Sequence, residues 1–290
     1  MQTLQKCQPM TQHLLDEALT LQPQADGSYL GTTHPAWWNM VGPFGGITAA
    51  TVTQAILQHP QCLGAPAALT VNYVAALTAG PFHIALRIAK TNRSSQHWLV
   101  EMSQVQADGS TALVLTGSAI TAVRRTTYNG TDVEFPSVAT AQSLPRWDPA
   151  VVGMEWLKRY DMRVVQGEVP DFKAPPPPAH ERKSLHTLTR QWTRDAQLRP
   201  LDFSALTALA DVFYPRIWRQ RNTWVPAGTV SMTVYFHADQ ADLAATADGF
   251  VLCEAHAQAF RNGHSDQTAR LWNEAGTLLA TTHQLVYYKE

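Results

Sequence analysis

Three polar residues in the second half of the chain lie within stretches that are otherwise mostly apolar. Asp211 lies in ALTALADVFYP, Thr229 opens TVSMTVYFHA, and Gln284 interrupts LLATTHQLVYY. A buried carboxylate is costly unless a partner or a function retains it, so Asp211 is a candidate for acid–base chemistry. Each residue also has an ordinary interpretation: an exposed or capping aspartate, a threonine at a strand start, and a strand glutamine that faces solvent.

The elements that position these residues follow one pattern, a helix and then a run of strands, in each half of the chain. In the first half, GGITAATVTQAILQH at 45–59 predicts a helix, and alternating apolar residues after it predict half-buried strands. In the second half, SALTALADVFYP predicts a helix that is capped by Asp202 or Ser204 and ends near Pro215.

Strand periodicity also assigns faces in the second half. In TVSMTVYFHA, a period of two places Thr229 with Ser231 and Thr233, on the face opposite Met232 and Val234. Helices separated from runs of strands favour an α+β architecture with an antiparallel sheet, rather than a doubly wound parallel sheet.

A faint internal repeat relates the two halves. LTVNYVAAL at 69–77 resembles MTVYFHADQ at 232–240, an offset of 163 (232 − 69), and ADGSTALVLTGSA at 107–119 resembles EAGTLLATTHQLV at 274–286, an offset of 167 (274 − 107). These offsets align Asp211 with Gly46, Thr229 with Pro66, and Gln284 with Gly117. Polar groups retained in one copy only are what a single working site leaves in a duplicated fold.

Four segments carry a resemblance to a known family: GPFGGITAA, LADVFYP, TVSMTVYFHA and GTLLATTHQ. Through them the sequence resembles the TesB-like, type II acyl-CoA thioesterases, whose chain is two fused hotdog domains. The resemblance implies a double hotdog, two tandem repeats of a long helix wrapped by a curved antiparallel sheet. The expected boundaries are an N-terminal hotdog domain at 1–125, a linker at 126–154 and a C-terminal hotdog domain at 155–290.

The same resemblance implies a function and a set of catalytic residues. Asp211, Thr229 and Gln284 would hold the water that hydrolyses an acyl-CoA thioester to a carboxylic acid and coenzyme A. A thioester expels a thiol with a pKa of about 8.5, so this chemistry needs an aligned water and no metal or cofactor. Two alternatives stay open: a non-catalytic acyl-thioester-binding protein, and an acyl-thioester hydratase or dehydratase, although the chain has no recognisable Asp-His hydratase segment.

Substrate-binding candidates lie at the start of the first helix and on two turns. Gly45 and Gly46 allow close approach to the helix N-terminus, where free N–H groups meet the thioester carbonyl or the pantetheine arm. Tight packing of the helix on the sheet is the alternative explanation for both glycines. Arg93 and Arg261, each on a turn between strands, are candidates for contact with the coenzyme phosphates.

Composition bounds the remaining possibilities. The 290 residues carry a formal net charge of −1, with 16% charged residues, which argues against nucleic acid as a partner. No signal peptide or membrane-spanning run is evident, so we expect a cytoplasmic protein without a membrane partner. The Pro-rich segment at 173–183 predicts an exposed loop. Hotdog sheets commonly associate, so a homo-oligomer such as a dimer is an open possibility.

Overall fold

The computed structural model describes residues 12–167 and 186–289, so the Pro-rich loop expected at 173–183 lies outside the described residues. The helices in this part of the chain are α1 Leu14–Ala18, α2 Gly45–Leu57, α3 Phe203–Leu209, α4 Arg216–Arg221 and α5 Gln240–Thr246. The strands are β1 Gln22–Pro23, β2 Tyr29–Thr32, β3 Ala65–Tyr73, β4 Pro81–Thr91, β5 Ser95–Val105, β6 Thr111–Ala122, β7 Tyr160–Gln166, β8 Thr189–Asp195, β9 Ala227–Phe236, β10 Val251–His256, β11 Phe260–Arg261, β12 His264–Asn273 and β13 Leu278–Tyr288.

All of these strands belong to one sheet, whose neighbours pair antiparallel. The order is β1-β2-β4-β5-β6-β3-β9-β13-β12-β10-β8-β7, with β11 added beside β12. The two halves join where β3 pairs with β9, and Thr70 stands opposite Thr233 with their hydroxyl oxygens 3.0 Å apart. This α+β double hotdog confirms the fold class that the sequence resemblance implies.

Matching irregularities in the two halves confirm the internal repeat and correct part of its alignment. The bulged residue of β3 is Ala67 and that of β9 is Val230, an offset of 163 (230 − 67), as the sequence predicts. The bulged residue of β6 is Val114 and that of β13 is Leu279, an offset of 165 (279 − 114). The predicted offset of 167 for this strand is therefore wrong by two residues.

The corrected offset changes the counterpart of one candidate residue. Gln284 corresponds to Ala119 in the first half, and the predicted pairing with Gly117 is wrong. Pro66 remains the counterpart of Thr229. Neither Pro66 nor Ala119 has a polar side chain, so the polar groups of Thr229 and Gln284 are still present in the second half only.

The two main helices lie antiparallel against each other within the curve of the sheet. Thr53 of α2 and Thr207 of α3 have their hydroxyl oxygens 3.0 Å apart, and Ser204 Oγ donates to Gln54 Oε1 at 3.0 Å. Ala49 and Ala50 of α2 are fully buried, because small side chains let the helix approach the sheet and α3 closely. The N-terminus of α2 consequently lies beside the C-terminus of α3.

The segment between the halves packs against the C-terminal sheet. The ring of Phe135 lies 5.7 Å from that of Trp272 and 6.4 Å from that of Trp192, and Trp192 Nε1 donates to Ala139 O at 2.9 Å. These residues form a small core on the sheet face opposite the helices. The expected linker therefore follows the surface of the second half before β7 begins at Tyr160.

Candidate active site

Asp211 lies just beyond the end of α3, at the point where α3 meets α2. The predicted helix over 204–215 is shorter in the structure: α3 is capped by Asp202, whose Oδ1 accepts from Ala205 N at 2.8 Å, and ends at Leu209. Gly46 lies in the first turn of α2. The two residues occupy opposite ends of the paired helices, so the predicted repeat equivalence of Gly46 and Asp211 is wrong. They are contact partners instead.

Gln284 links the other two candidate residues. Its Nε2 donates to Asp211 Oδ1 at 2.8 Å, and its Oε1 accepts from Thr229 Oγ1 at 3.4 Å. Gln284 is 4% exposed, because it shares the inner face of β13 with Thr282 and Val286, while His283 and Leu285 between them face outward. The solvent-facing interpretation of this glutamine is therefore wrong, and the structure brings all three residues together.

A β-bulge turns Thr229 toward this group. Strand periodicity predicts Thr229 on the face of Ser231 and Thr233, yet its hydroxyl reaches Gln284, whose Nε2 lies 3.5 Å from Met232 Sδ. The extra residue is Val230, which interrupts the pairing of β9 with β13. Because one inserted residue reverses the alternation, Thr229 shares the inner face with Met232, and the predicted face is wrong.

The first turn of α2 completes the surroundings of the carboxylate. Phe44 at the N-cap offers no side-chain hydrogen bond, and the N–H of Gly46 lies close enough to the Asp211 carboxylate to lower its pKa. A Cβ on Gly45 would stand 2.7 Å from Asp211 Oδ2, so only glycine leaves that oxygen accessible. A Cβ on Gly46 would stand 2.6 Å from Ala208 O, so that glycine also permits the close contact of the two helices.

Tyr73, at the end of β3, is a site residue that the sequence analysis missed. Its hydroxyl donates to Gly45 O at 2.8 Å and would lie 3.3 Å from a Cβ on Gly45. Burial and the nearby Asp211 carboxylate raise its pKa well above the usual value, so it stays a neutral donor. A tyrosine at a strand end carries no signal of its own, since its role depends on a helix that precedes it in sequence.

Burial sets the protonation behaviour of Asp211. The residue is 8% exposed, and loss of solvation raises its pKa to about 7, against the opposing effects of the bond from Gln284 and of the nearby Gly46 N–H. A carboxylate with this pKa changes protonation state near neutral pH. Asp211 can therefore accept and return a proton, which a carboxylate with an ordinary pKa does poorly.

The three residues open onto one cavity of about 430 Å³ between the two halves. Asp211, Thr229, Gln284, Gly45 and Tyr73 line it together. Its remaining walls are mainly apolar and come from several segments, including Asn39–Phe44 and Val74–Leu77 from the first half, Trp147, Val152, Met154, Trp156 and Leu157 from the connection, and Met162, Val164 and Phe213 from the second half. Such a mixture of apolar walls and a few convergent polar groups is typical of a small-molecule site.

The two candidate arginines lie apart from this cavity. Arg93 is exposed on the turn between β4 and β5, and Arg261 is exposed in β11, next to Phe260. Neither lines the cavity in the described part of the chain. Their contact with coenzyme phosphates stays a prediction.

Within residues 12–167 and 186–289, no three or more His, Cys, Asp or Glu side chains are grouped so as to hold a metal ion. In the same residues, no helix has the length and apolar character required to span a bilayer.

The fold and this cavity define a double-hotdog protein with a polar site between its halves. The chain belongs to the acyl-CoA thioesterase family: residues 34–122 match the model of the acyl-CoA thioesterase N-terminal domain, and residues 135–288 match that of the C-terminal domain. No curated protein matches the sequence.

Solved structures with the same fold include proteins at two levels of similarity. A conserved protein of unknown function with a hotdog fold from Alicyclobacillus acidocaldarius is 38% identical, with a TM-score of 0.86, over 96% of this chain and 99% of that one. The acyl-CoA thioesterase II TesB2 of Mycobacterium marinum is 16% identical, with a TM-score of 0.70, over 95% of this chain and 98% of that one. At 16% identity the second match shows the fold alone.

Proposed function

We propose that the protein hydrolyses acyl-CoA thioesters to free acids and coenzyme A, with Asp211, Thr229 and Gln284 holding the attacking water. The observation that carries this proposal is the convergence of a carboxylate, an amide and a hydroxyl, joined by contacts of 2.8 and 3.4 Å, on the wall of one cavity. The family match supports acyl-CoA as the substrate.

The mechanism requires a water between Asp211 and the thioester carbonyl. Asp211 accepts a proton as the water oxygen bonds to the carbonyl carbon, and the resulting oxyanion is stabilised by N–H groups in the uncapped first turn of α2. The carbon–sulfur bond then breaks, and the departing thiolate takes the proton back from Asp211. Holding the water in line contributes several kcal/mol, because the orientational freedom of the nucleophile is removed in advance.

Release of thiol from a panel of acyl-CoAs tests the proposal directly. Hydrolysis releases one thiol per acid formed, whereas hydration of an enoyl thioester removes the enoyl absorbance and releases none. A non-catalytic binding protein produces neither signal. The proposal fails if the protein releases no thiol from acyl-CoAs of short, medium and long chains.

A further inference from the structure

A buried glutamine beside the candidate catalytic residues takes no part in their hydrogen bonds. Gln267 in β12 is 2% exposed and lines the cavity, and its side-chain amide has no hydrogen-bond partner among the described residues. Gln284, by contrast, uses both its amide nitrogen and its amide oxygen. An amide that faces a cavity and has no protein partner bonds to water or to a bound ligand, so a ligand that displaces the water must supply a partner or lose affinity.

The register of the sheet places Gln267 next to the proposed reaction centre. Gln267 is paired directly with Gln284 across β12 and β13, and both side chains lie on the inner face. Directly opposed residues have their Cβ atoms about 5 Å apart. The Gln267 amide is therefore within reach of the first few carbons of an acyl group whose carbonyl lies beside Gln284.

The position equivalent to Gln267 in the first half of the chain holds a residue of a different kind. Ala119 corresponds to Gln284, and the residue paired with Ala119 is Trp98. Trp98 is 1% exposed, and its Nε1 donates to Thr121 Oγ1 at 3.1 Å. In the first half, Trp98 fills the interior and its indole N–H has a partner. In the second half, Gln267 occupies the equivalent position, and its amide faces a cavity without a protein partner in the described part of the chain.

The apolar walls indicate the direction of the acyl chain. The strand order runs from β9 through β13 and β12 to β7, so the positions of Thr229, Gln284 and Gln267 succeed one another toward Met162 in β7. The apolar residues Trp156 and Leu157 of the connection line the cavity with Met162. An acyl chain that extends from the reaction centre to these side chains passes Gln267 first.

We propose that the protein prefers acyl groups that carry a hydroxyl or keto oxygen on the second or third carbon from the sulfur, bound by the Gln267 amide. This inference rests on the proposed acyl-CoA substrate and refines it. An unsubstituted chain would leave the buried amide unpaired, whereas a hydroxyl, which both donates and accepts, satisfies it.

Binding of non-hydrolysable thioethers tests this preference without relying on turnover. The probes are S-hexyl-CoA, S-(2-hydroxyhexyl)-CoA and S-(3-hydroxyhexyl)-CoA, measured by calorimetry against the full chain and the Gln267→Met variant, which keeps the side-chain volume and removes the amide. We expect the wild type to bind one hydroxylated probe about 3- to 10-fold more tightly than S-hexyl-CoA, the effect of one neutral hydrogen bond. The variant should lose this preference.

A matched control comes from Gln191, a third buried glutamine in the cavity wall. Its Nε2 already donates to Thr193 Oγ1 at 3.3 Å and to Val212 O at 3.4 Å, so Gln191→Met should keep the preference for the hydroxyl. If Gln267→Met does not fold, Gln267→Asn serves in its place. Asparagine keeps the amide but is one methylene shorter, so this variant should bind the hydroxylated probes with a weaker preference over S-hexyl-CoA.

Two results would overturn the inference. One is equal weakening of all three probes and of free coenzyme A in Gln267→Met, which would show that the amide grips the coenzyme. The other is a wild-type protein that binds the hydroxylated probes no better than S-hexyl-CoA. If the preference holds while no acyl-CoA is hydrolysed, the hydrolase proposal fails and the ligand assignment stands.

Discussion

Replacing Asp211 with asparagine separates the charge of this residue from its shape. The folded protein holds this carboxyl with a pKa of about 7, whereas an unfolded chain has the ordinary value of 3.8. Between these two values the folded state binds more protons than the unfolded state, so ionisation destabilises the fold as pH rises. The slope is about 1.4 kcal/mol for each pH unit and vanishes above pH 7.

The Asp211→Asn variant lacks this dependence. The free energy of unfolding of the variant, minus that of the wild type, should therefore increase by about 3 kcal/mol between pH 5 and pH 8, which corresponds to about 5 °C in Tm. The comparison across pH matters because asparagine also replaces one carboxylate oxygen with an amide nitrogen, which changes the hydrogen bonding with Gln284 at every pH. Urea unfolding of both proteins at the two pH values measures the change.

The same substitution tests catalysis. With Asp211 as general base, kcat/KM of the wild type should rise tenfold per pH unit below pH 7 and level off above it, and Asp211→Asn should reduce it by about 10²- to 10⁴-fold. Asp195→Asn is a matched control, because burial also raises the pKa of Asp195 to about 7 while the residue lies outside the cavity lining. It should reproduce the pH-dependent gain in stability and keep wild-type turnover. Wild-type turnover in Asp211→Asn would refute the reasoning, as would a difference in stability that does not vary with pH.

Three further predictions follow from individual contacts. Gly45→Ala should fold, since alanine favours a helix, but should lose at least tenfold in kcat/KM because its Cβ would stand 2.7 Å from Asp211 Oδ2; an active variant would contradict this geometry. Thr229→Val should lower kcat at unchanged Tm, whereas Thr233→Val, on the outer face, should leave kcat unaltered. Equal losses of kcat in the two variants would contradict the conclusion that the bulge at Val230 places Thr229 in the site. Cys253 is fully buried with its pKa raised to about 12, so mass spectrometry should find it unlabelled by iodoacetamide in the native protein and labelled after unfolding.

Much of the fold could be predicted from local patterns. Alternation of apolar residues identified the strands, and an offset of 163 between similar segments located β3 and β9, which pair at the centre of the sheet. Local patterns carry this information because side chains return to the same face every two residues in a strand and about every 3.6 residues in a helix. The spacing of apolar residues therefore indicates which face of each element is buried. The length of α3 could not be read in this way, since the apolar stretch continues past its end.

The candidate site was predictable in its residue types and less so in its geometry. The sequence resemblance selected Asp211, Thr229 and Gln284, but the face of Thr229 was predicted wrongly, because a single bulged residue at Val230 reverses the alternation without any mark in the sequence. The offset between Gln284 and its counterpart was wrong by two residues for a related reason, since turns of unequal length shift the register of successive strands.

The sequence by itself indicated where the helix at 45–57 and most of the strands lie, that the chain is duplicated, and which polar residues of the second half form the candidate site. Tertiary structure alone decided that Tyr73 and Gly45 of the first half meet Asp211 of the second, and that Gln267 faces a cavity where Trp98 fills the core. The physical reason is distance along the chain: local periodicity describes neighbours a few residues apart, whereas the site joins groups separated by more than one hundred residues through the pairing of two helices and the register of one sheet.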